Sequence, residues 1–381
     1  MGKQFTTLTS SIVLIAALTT SVPETIAQNI QSPEVHPDGR VTFRLRAPRA
    51  EAVSVSLNGN RLEMASGDNS LWIATSEVLD PGIHDYTFDV DGTRMIDPSN
   101  RRVKKWFTLA SMVEVPGDPP RLTEFQDVPH GTVHRLYYHS ESVGHQRPLL
   151  VYTPPGVESR ARADYPLVVL MHGFGDDETA WTEVGCAHLI ADNLLARGEI
   201  LPVIIAMPYG HPIPVAAGTR PENYFERNNE LYESDIVEDL LPFLKSRFPV
   251  TDDPQQRSIV GLSMGGGHAL HVGLRHTDLF SSIGAFSAAT PQGDQDKLLE
   301  RYPSLQGPEP AANQLRHLFI PIGESDFLLS RNDTFVERLQ KFGVQHTYQK
   351  TKGGHEWKVW RRYLPEFLRM VAPSAKSSPD R

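Results

Sequence analysis

The chain has 381 residues, with 37 Lys and Arg against 46 Asp and Glu and a net charge of -9. That sign excludes nucleic acid and an anionic membrane surface as main partners, since both need a basic footprint. The single cysteine, Cys186, excludes an intramolecular disulfide framework and any Cys-rich zinc or iron–sulfur site.

The first 27 residues read as a signal peptide. Lys3 supplies a positive start, residues 11–18 (SIVLIAAL) a short apolar run, and Thr25, Ile26 and Ala27 a cleavage site with small residues. The run is far short of the roughly 20 apolar residues that span a bilayer. The expected product is exported, periplasmic or extracellular, and free of the membrane once cleaved after Ala27.

Residues 33–112 predict a small all-β sandwich. Residues 41–45 (VTFRL), 52–57 (AVSVSL) and 84–90 (HDYTFDV) alternate as half-buried strands do, and residues 71–74 (LWIA) add another. Asn58-Gly59, Asp80-Pro81-Gly82 and Asp91-Gly92 mark the turns between them. A proline-rich linker follows over residues 113–128, with EVPGDPP at 114–120.

Residues 129–373 predict an α/β domain with a doubly wound, mostly parallel sheet, and residues 374–381 a polar tail. Residues 149–152 (LLVY), 167–170 (LVVL), 203–206 (VIIA), 258–260 (SIV) and 317–320 (HLFI) have the unbroken apolar character of strands buried on both faces. Between them, Ile236, Leu240, Leu241 and Leu244 repeat at helical spacing over residues 234–247, with Asp235, Glu238 and Asp239 on other faces. In such a sheet the ligand site lies at the carboxyl ends of the strands.

Three loops carry the chemistry. Gly261-Leu262-Ser263-Met264-Gly265 is a G-x-S-x-G motif between a strand and a helical run, the setting of a nucleophile elbow. Its bland alternative is a Gly-rich connection with an incidental serine. Met171-His172-Gly173-Phe174-Gly175 follows an earlier strand. With the residue after the nucleophile, Met264, it would supply the second oxyanion-hole N–H, from Phe174. Asp326 and His355 follow the strands at 317–321 and 347–350, giving the chain order Ser, Asp, His. A serine hydroxyl needs a histidine to take its proton and a carboxylate to orient that histidine. Glu324 is the rival acid.

Other features have plainer readings. His268, His271 and His276 share a helical stretch, but no carboxylate pattern completes a metal site. Asp176-Asp177-Glu178 reads as a solvated acidic loop rather than a calcium site. Trp181, Trp357 and Trp360 could stack on a sugar or aromatic ring, or simply pack. Trp181 and Trp357 are the substrate-binding candidates.

The stretches PHGTVHRLYYHS, RPLLVYTPPGV, HGFGDDETAW, GLSMGGGHAL and GGHEWKVWRRYL resemble the feruloyl and acetyl-xylan esterases of carbohydrate esterase family one. These are α/β-hydrolases related to the enterochelin esterases and antigen-85-type mycolyltransferases. Residues 34–106, with TFRLRAPRAEAVSV and YTFDVDGTRMIDPSN, resemble the early-set immunoglobulin-like domain that often precedes them. The resemblance implies Ser263, Asp326 and His355 as a triad, Met264 and Phe174 as oxyanion donors, and no cofactor. It implies an exported serine esterase acting on feruloyl or acetyl esters of plant polysaccharide. The alternatives are a siderophore-ester hydrolase with the same triad and, in another class, a non-catalytic glycan-binding protein.

Overall fold

The computed structural model describes residues 30–157, 164–215 and 221–374. The expected signal segment and all of the expected tail but Ser374 lie outside the described residues.

The N-terminal strands form two antiparallel sheets around one core. Strands Val41–Arg46 and Leu71–Thr75 belong to the smaller sheet, and Val53–Leu57, Gly82–Val90 and Leu109–Val115 to the larger. The alternation read in the sequence has its physical counterpart here. Val41, Phe43, Leu45, Val53, Val55 and Leu57 turn inward and meet Trp72, Tyr86 and Phe88. The strand aromatics Phe43, Trp72, Tyr86 and Phe88 are thus core residues.

The sandwich is sealed to the larger unit along its last strand, which runs to Val115. Successive side chains there point to opposite faces. Val113 and Val115 enter the sandwich core, while Met112 joins a core of the larger unit, with Ile83 packed beside it. Ion pairs at 3.1 Å, Lys105 with Glu183 and Asp80 with Lys358, bracket this seam. Cys186 is buried against it, its sulfur 3.9 Å from an Arg102 nitrogen.

The larger unit is built on an eight-stranded sheet. Across it the strands run Thr132–Ser140, His145–Thr153, Ile204–Pro208, Leu167–Met171, Arg257–Leu262, Ser282–Phe286, His317–Gly323 and Thr347–Thr351. The last six are mutually parallel; His145–Thr153 runs antiparallel to them, and Thr132–Ser140 pairs antiparallel with it at the edge. Both faces are covered. Leu167, Val169 and Met171 enter one core with Ile236, Leu240 and Leu244. Val168 and Leu170 enter the other with Ile190, Leu194, Tyr363 and Phe367.

In the sandwich, strand Leu109–Val115 runs into residues 113–115, expected as linker, because Val113 and Val115 pack in the core. In the eight-stranded sheet, two strands have no counterpart in the sequence reading. Thr132–Ser140 is an edge strand with mixed exposure, and Ser282–Phe286 carries a serine and a glycine in place of an apolar run. The helix expected over 234–247 starts at Tyr224. It continues through a π-helical turn at Asp235–Leu240 into Leu241–Arg247. Asp235, expected on a polar face, is fully buried there because Arg147 and Tyr138 bond to its carboxylate.

Met112→Ala removes a side chain that joins the two units. It should lower the unfolding free energy by about 2–4 kcal/mol in a urea titration. A loss below about 0.5 kcal/mol, the size of an ordinary surface change, would mean that the seam is not packed there.

Candidate active site

Ser263 sits where strand Arg257–Leu262 turns into helix Met264–Arg275. Its backbone has φ 54° and ψ -113°, a conformation that costs energy for any residue with a Cβ. Three hydrogen bonds hold it there. Its N–H donates to the Phe286 carbonyl at 2.8 Å, and its carbonyl accepts from Gly267 N at 3.0 Å and Ala289 N at 2.8 Å. Gly265 is required by close approach, since a Cβ there would lie 2.5 Å from the Met171 and His172 carbonyl oxygens. Met264, the first residue of the helix, presents an N–H with no intrahelical acceptor.

His355 and Asp326 arrive on loops after the last two strands of the sheet. Ser263 Oγ lies 2.9 Å from His355 Nε2. His355 Nδ1 lies 3.0 and 2.9 Å from the two Asp326 oxygens. The imidazole is wedged between Phe327, 4.5 Å between centroids, and Trp360, edge-on at 4.9 Å. Burial pushes the Asp326 carboxyl up, but the bonds from His355 and the Leu328 N–H outweigh it and leave the acid below its ordinary range. Glu324 is exposed, and His355 bonds to Asp326 in its place.

The loop of residues 172–175 runs beside Ser263, and a Cβ on Gly173 would sit 3.6 Å from the Ser263 Cβ. His172, named in the motif without a role, and His211, which the motif reading passed over, hold this loop from inside. His172 Nδ1 donates to the Gly173 carbonyl at 2.8 Å, and its Nε2 accepts from Gly210 N at 2.8 Å. His211 Nε2 accepts from Gly175 N at 3.3 Å, and its Nδ1 faces the Tyr224 hydroxyl at 2.5 Å. Each ring therefore must be neutral, because one nitrogen of each accepts an N–H. Burial supplies that state, bringing His172 down to about 4 and His211 to about 3.

The loop at residues 209–211 is fixed in turn by Arg147. Its guanidinium donates to the Tyr209 carbonyl at 2.5 Å and the His211 carbonyl at 3.0 Å, and pairs with Asp235 at 3.2 Å. Arg147 and Asp235 are both fully buried. No local pattern marks an isolated arginine in a strand as the support of a loop some 60 residues away.

Ser263 opens into a cleft of about 960 Å³ walled by both units. Phe174, Phe327, Trp357 and Trp360 line it from the larger unit, and Asp80, His84, Lys104 and Trp106 from the sandwich. Of the two tryptophan candidates, Trp357 reaches this cleft. Trp181 does not: it is 1% exposed, packs edge-on against Trp357 and donates to the Met171 carbonyl at 2.9 Å, so only its packing role survives.

The acidic loop also differs from expectation. Asp176 and Glu178 are buried rather than solvated: Asp176 sits in the wall of the cleft that Asp85 and Lys104 of the sandwich also line, and Glu178 pairs with Arg135 at 3.3 Å. Asp176 lines the cleft, its Oδ1 has no hydrogen-bond partner, and burial raises its carboxyl to about 8. His271 and His276 both bond Glu233, whereas His268 lies against Asn228. Among the described residues no group of three or more His, Cys, Asp or Glu could hold a metal ion.

An α/β sheet with a serine on a strained elbow, bonded through histidine to a buried aspartate, is a class of site suited to acyl transfer. The family follows from the sequence itself: the chain belongs to the putative esterase family, whose model matches residues 140–371. It is 30% identical over 348 residues to an endo-1,4-beta-xylanase/feruloyl esterase of Xylanibacter ruminicola. That match takes in 89% of this chain and 46% of the relative, so the chain spans about half that relative's length. A solved ferulic acid esterase is similar at 28% identity and TM-score 0.54, over 64% of this chain and 98% of its own. The enterobactin esterase of Shigella flexneri matches at TM-score 0.63 and 19% identity, over 87% of this chain and 92% of its own, a likeness of fold alone.

The buried titrating groups set opposite pH limits. The unfolded chain binds more protons than the folded one from about pH 6.5 down to about 4 at His172 and about 3 at His211, so stability held above 6.5 falls as pH drops. At Asp176 the folded chain binds more, so stability is lost as pH rises from about 4 through 8. Asp176→Asn should therefore melt higher than the parent at pH 8, with the gap closing toward pH 4. An equal or lower melting temperature at pH 8 would show that the carboxyl carries no burial penalty.

Proposed function

We propose that the chain is an exported serine esterase that cleaves carboxylic esters through an acyl-enzyme formed on Ser263. One observation carries the reading: the hydrogen-bonded series Ser263, His355, Asp326 at the mouth of a cleft flanked by residues 172–175. His355 Nε2 takes the Ser263 proton as Oγ attacks the ester carbonyl. Asp326 holds the proton-bearing Nδ1 and stabilises the imidazolium. The Met264 and Phe174 N–H groups receive the oxyanion. His355 then protonates the leaving alcohol, and a water activated by the same imidazole releases the acid. No cofactor enters these steps.

The substrate in this reading is a feruloyl or acetyl ester of plant polysaccharide. The family, the feruloyl esterase named among the relatives and the aromatic lining of the cleft all support it. The larger unit is read as a doubly wound α/β-hydrolase and the sandwich as its immunoglobulin-like early-set partner. Export rests on the apolar run and small residues of the first 27 positions.

Ser263→Ala, which removes one oxygen, should abolish turnover of an aryl ester while the circular dichroism spectrum is unchanged. Asp326→Asn should lower kcat by roughly 10³–10⁴ by favouring the wrong histidine tautomer, and Glu324→Gln should stay near the parent. Near-parental turnover in Ser263→Ala would remove the nucleophile assignment. Methyl ferulate, acetylated xylan and a cyclic catecholate–serine lactone, compared side by side, test the substrate class. A kcat/KM highest on the lactone would overturn the polysaccharide reading.

A further inference from the structure

Besides lining the cleft, the sandwich touches residues 174 and 175 through a hairpin tip. Strands Val103–Lys105 and Leu109–Val115 are joined by a tip of three residues, closed by a bond from Trp106 N to the Thr108 carbonyl at 3.0 Å. Trp106 Nε1 donates to the Phe174 carbonyl at 2.8 Å. The Phe107 ring meets the Phe174 ring edge-on at 5.1 Å and the Trp106 ring at 5.3 Å. Gly175 has φ 85°, and a Cβ there would fall 2.7 Å from both Trp106 Nε1 and Phe107 Cε2. Tip and loop are in direct contact, with no space for a side chain between them.

The geometry of one peptide plane gives this contact its meaning. The Phe174 carbonyl and the Gly175 N–H belong to the same rigid unit and point in opposite directions. The carbonyl is held by Trp106 from the sandwich, and the N–H by His211 from the larger unit. The preceding plane, which carries the Phe174 N–H, is held through the Gly173 carbonyl by His172. With both flanking planes fixed, neither backbone torsion of Phe174 is free. His172 and His211 alone leave the outer end of the second plane without its anchor.

We propose that Trp106 is a positioning residue for the reaction: its indole N–H holds the Phe174 peptide so that the preceding N–H stays aimed at the oxyanion. This rests on the reading of Met264 and Phe174 as oxyanion donors. It makes the sandwich part of the frame of the acyl-transfer site. Misplacement of a catalytic donor by about an ångström can cost as much as 10²-fold in rate. The effect belongs in kcat, since the donor acts on charge that develops after binding.

Trp106→Phe keeps an aromatic ring and removes the donor together with the five-membered ring that carries it. Trp106 is half exposed, so the variant should fold. The assay uses a small aryl acetate, which needs no binding contact with the sandwich. The expected result is a fall in kcat of about tenfold, with KM within about twofold and an unchanged melting temperature. Lys105→Ala is the control. It loosens the neighbouring contact with Glu183 without touching Phe174, and should keep the parental kcat. A Trp106→Phe kcat within twofold of the parent overturns the proposal, as does an equal fall in Lys105→Ala. Ser263→Ala in the same assay separates the two readings. If it is dead while Trp106→Phe is unaffected, positioning alone fails; if it is active, the serine assignment fails and takes this inference with it.

Discussion

The ion pair between Arg147 and Asp235 lies behind the loop of residues 172–175 that flanks Ser263. Two ions without water are stable only where each finds further partners, and removal of one strands the other. Asp235 has the Tyr138 hydroxyl, and Arg147 has the Tyr209 and His211 carbonyls. Those carbonyls fix a loop whose remaining groups, the Gly210 N–H and the His211 ring, grip residues 172–175. The π-helical turn at Asp235–Leu240 sits at the root of the series, a place where such irregularities are often kept for function. Rigidity at residues 172–175 is thus supplied from the second strand of the sheet and from a helix far from the serine.

The site is assembled between two units rather than within one. The larger sheet provides Ser263, Asp326 and His355 from the carboxyl ends of its parallel strands, where such sheets place their ligands. The sandwich provides an opposing wall and the cap over Gly175. Burial of Asp176 is a by-product of that closure, a carboxyl shut in when the two surfaces meet.

What the sequence disclosed follows from the range of the forces involved. Strand and elbow were legible because periodicity and glycine requirements are local: residues 167–170 and 258–260, and Gly265 beside Ser263. Asp326 and His355 were legible because chain order and strand ends constrain them. Arg147, His211 and Trp106 act on partners 36 to 88 positions away, and nothing beside them in sequence reports that. Trp181 shows a further limit. An aromatic residue in a site motif packs or stacks according to which way its helix turns, and here Ala180–Glu183 turns it into the core. The acidic triplet misled for the same reason, since Glu178 is paired by Arg135, 43 positions away.

Cys186 offers a use that has nothing to do with catalysis. Its thiol is sealed at the seam, raised in pKa by burial and beside Arg102 of the sandwich. A thiol so placed reacts only when the two units part. As the chain's lone cysteine, it is a ready-made clock: the rate at which a coloured disulfide reagent consumes it counts how often the halves breathe open, with no label to install and no other sulfhydryl to confuse the trace.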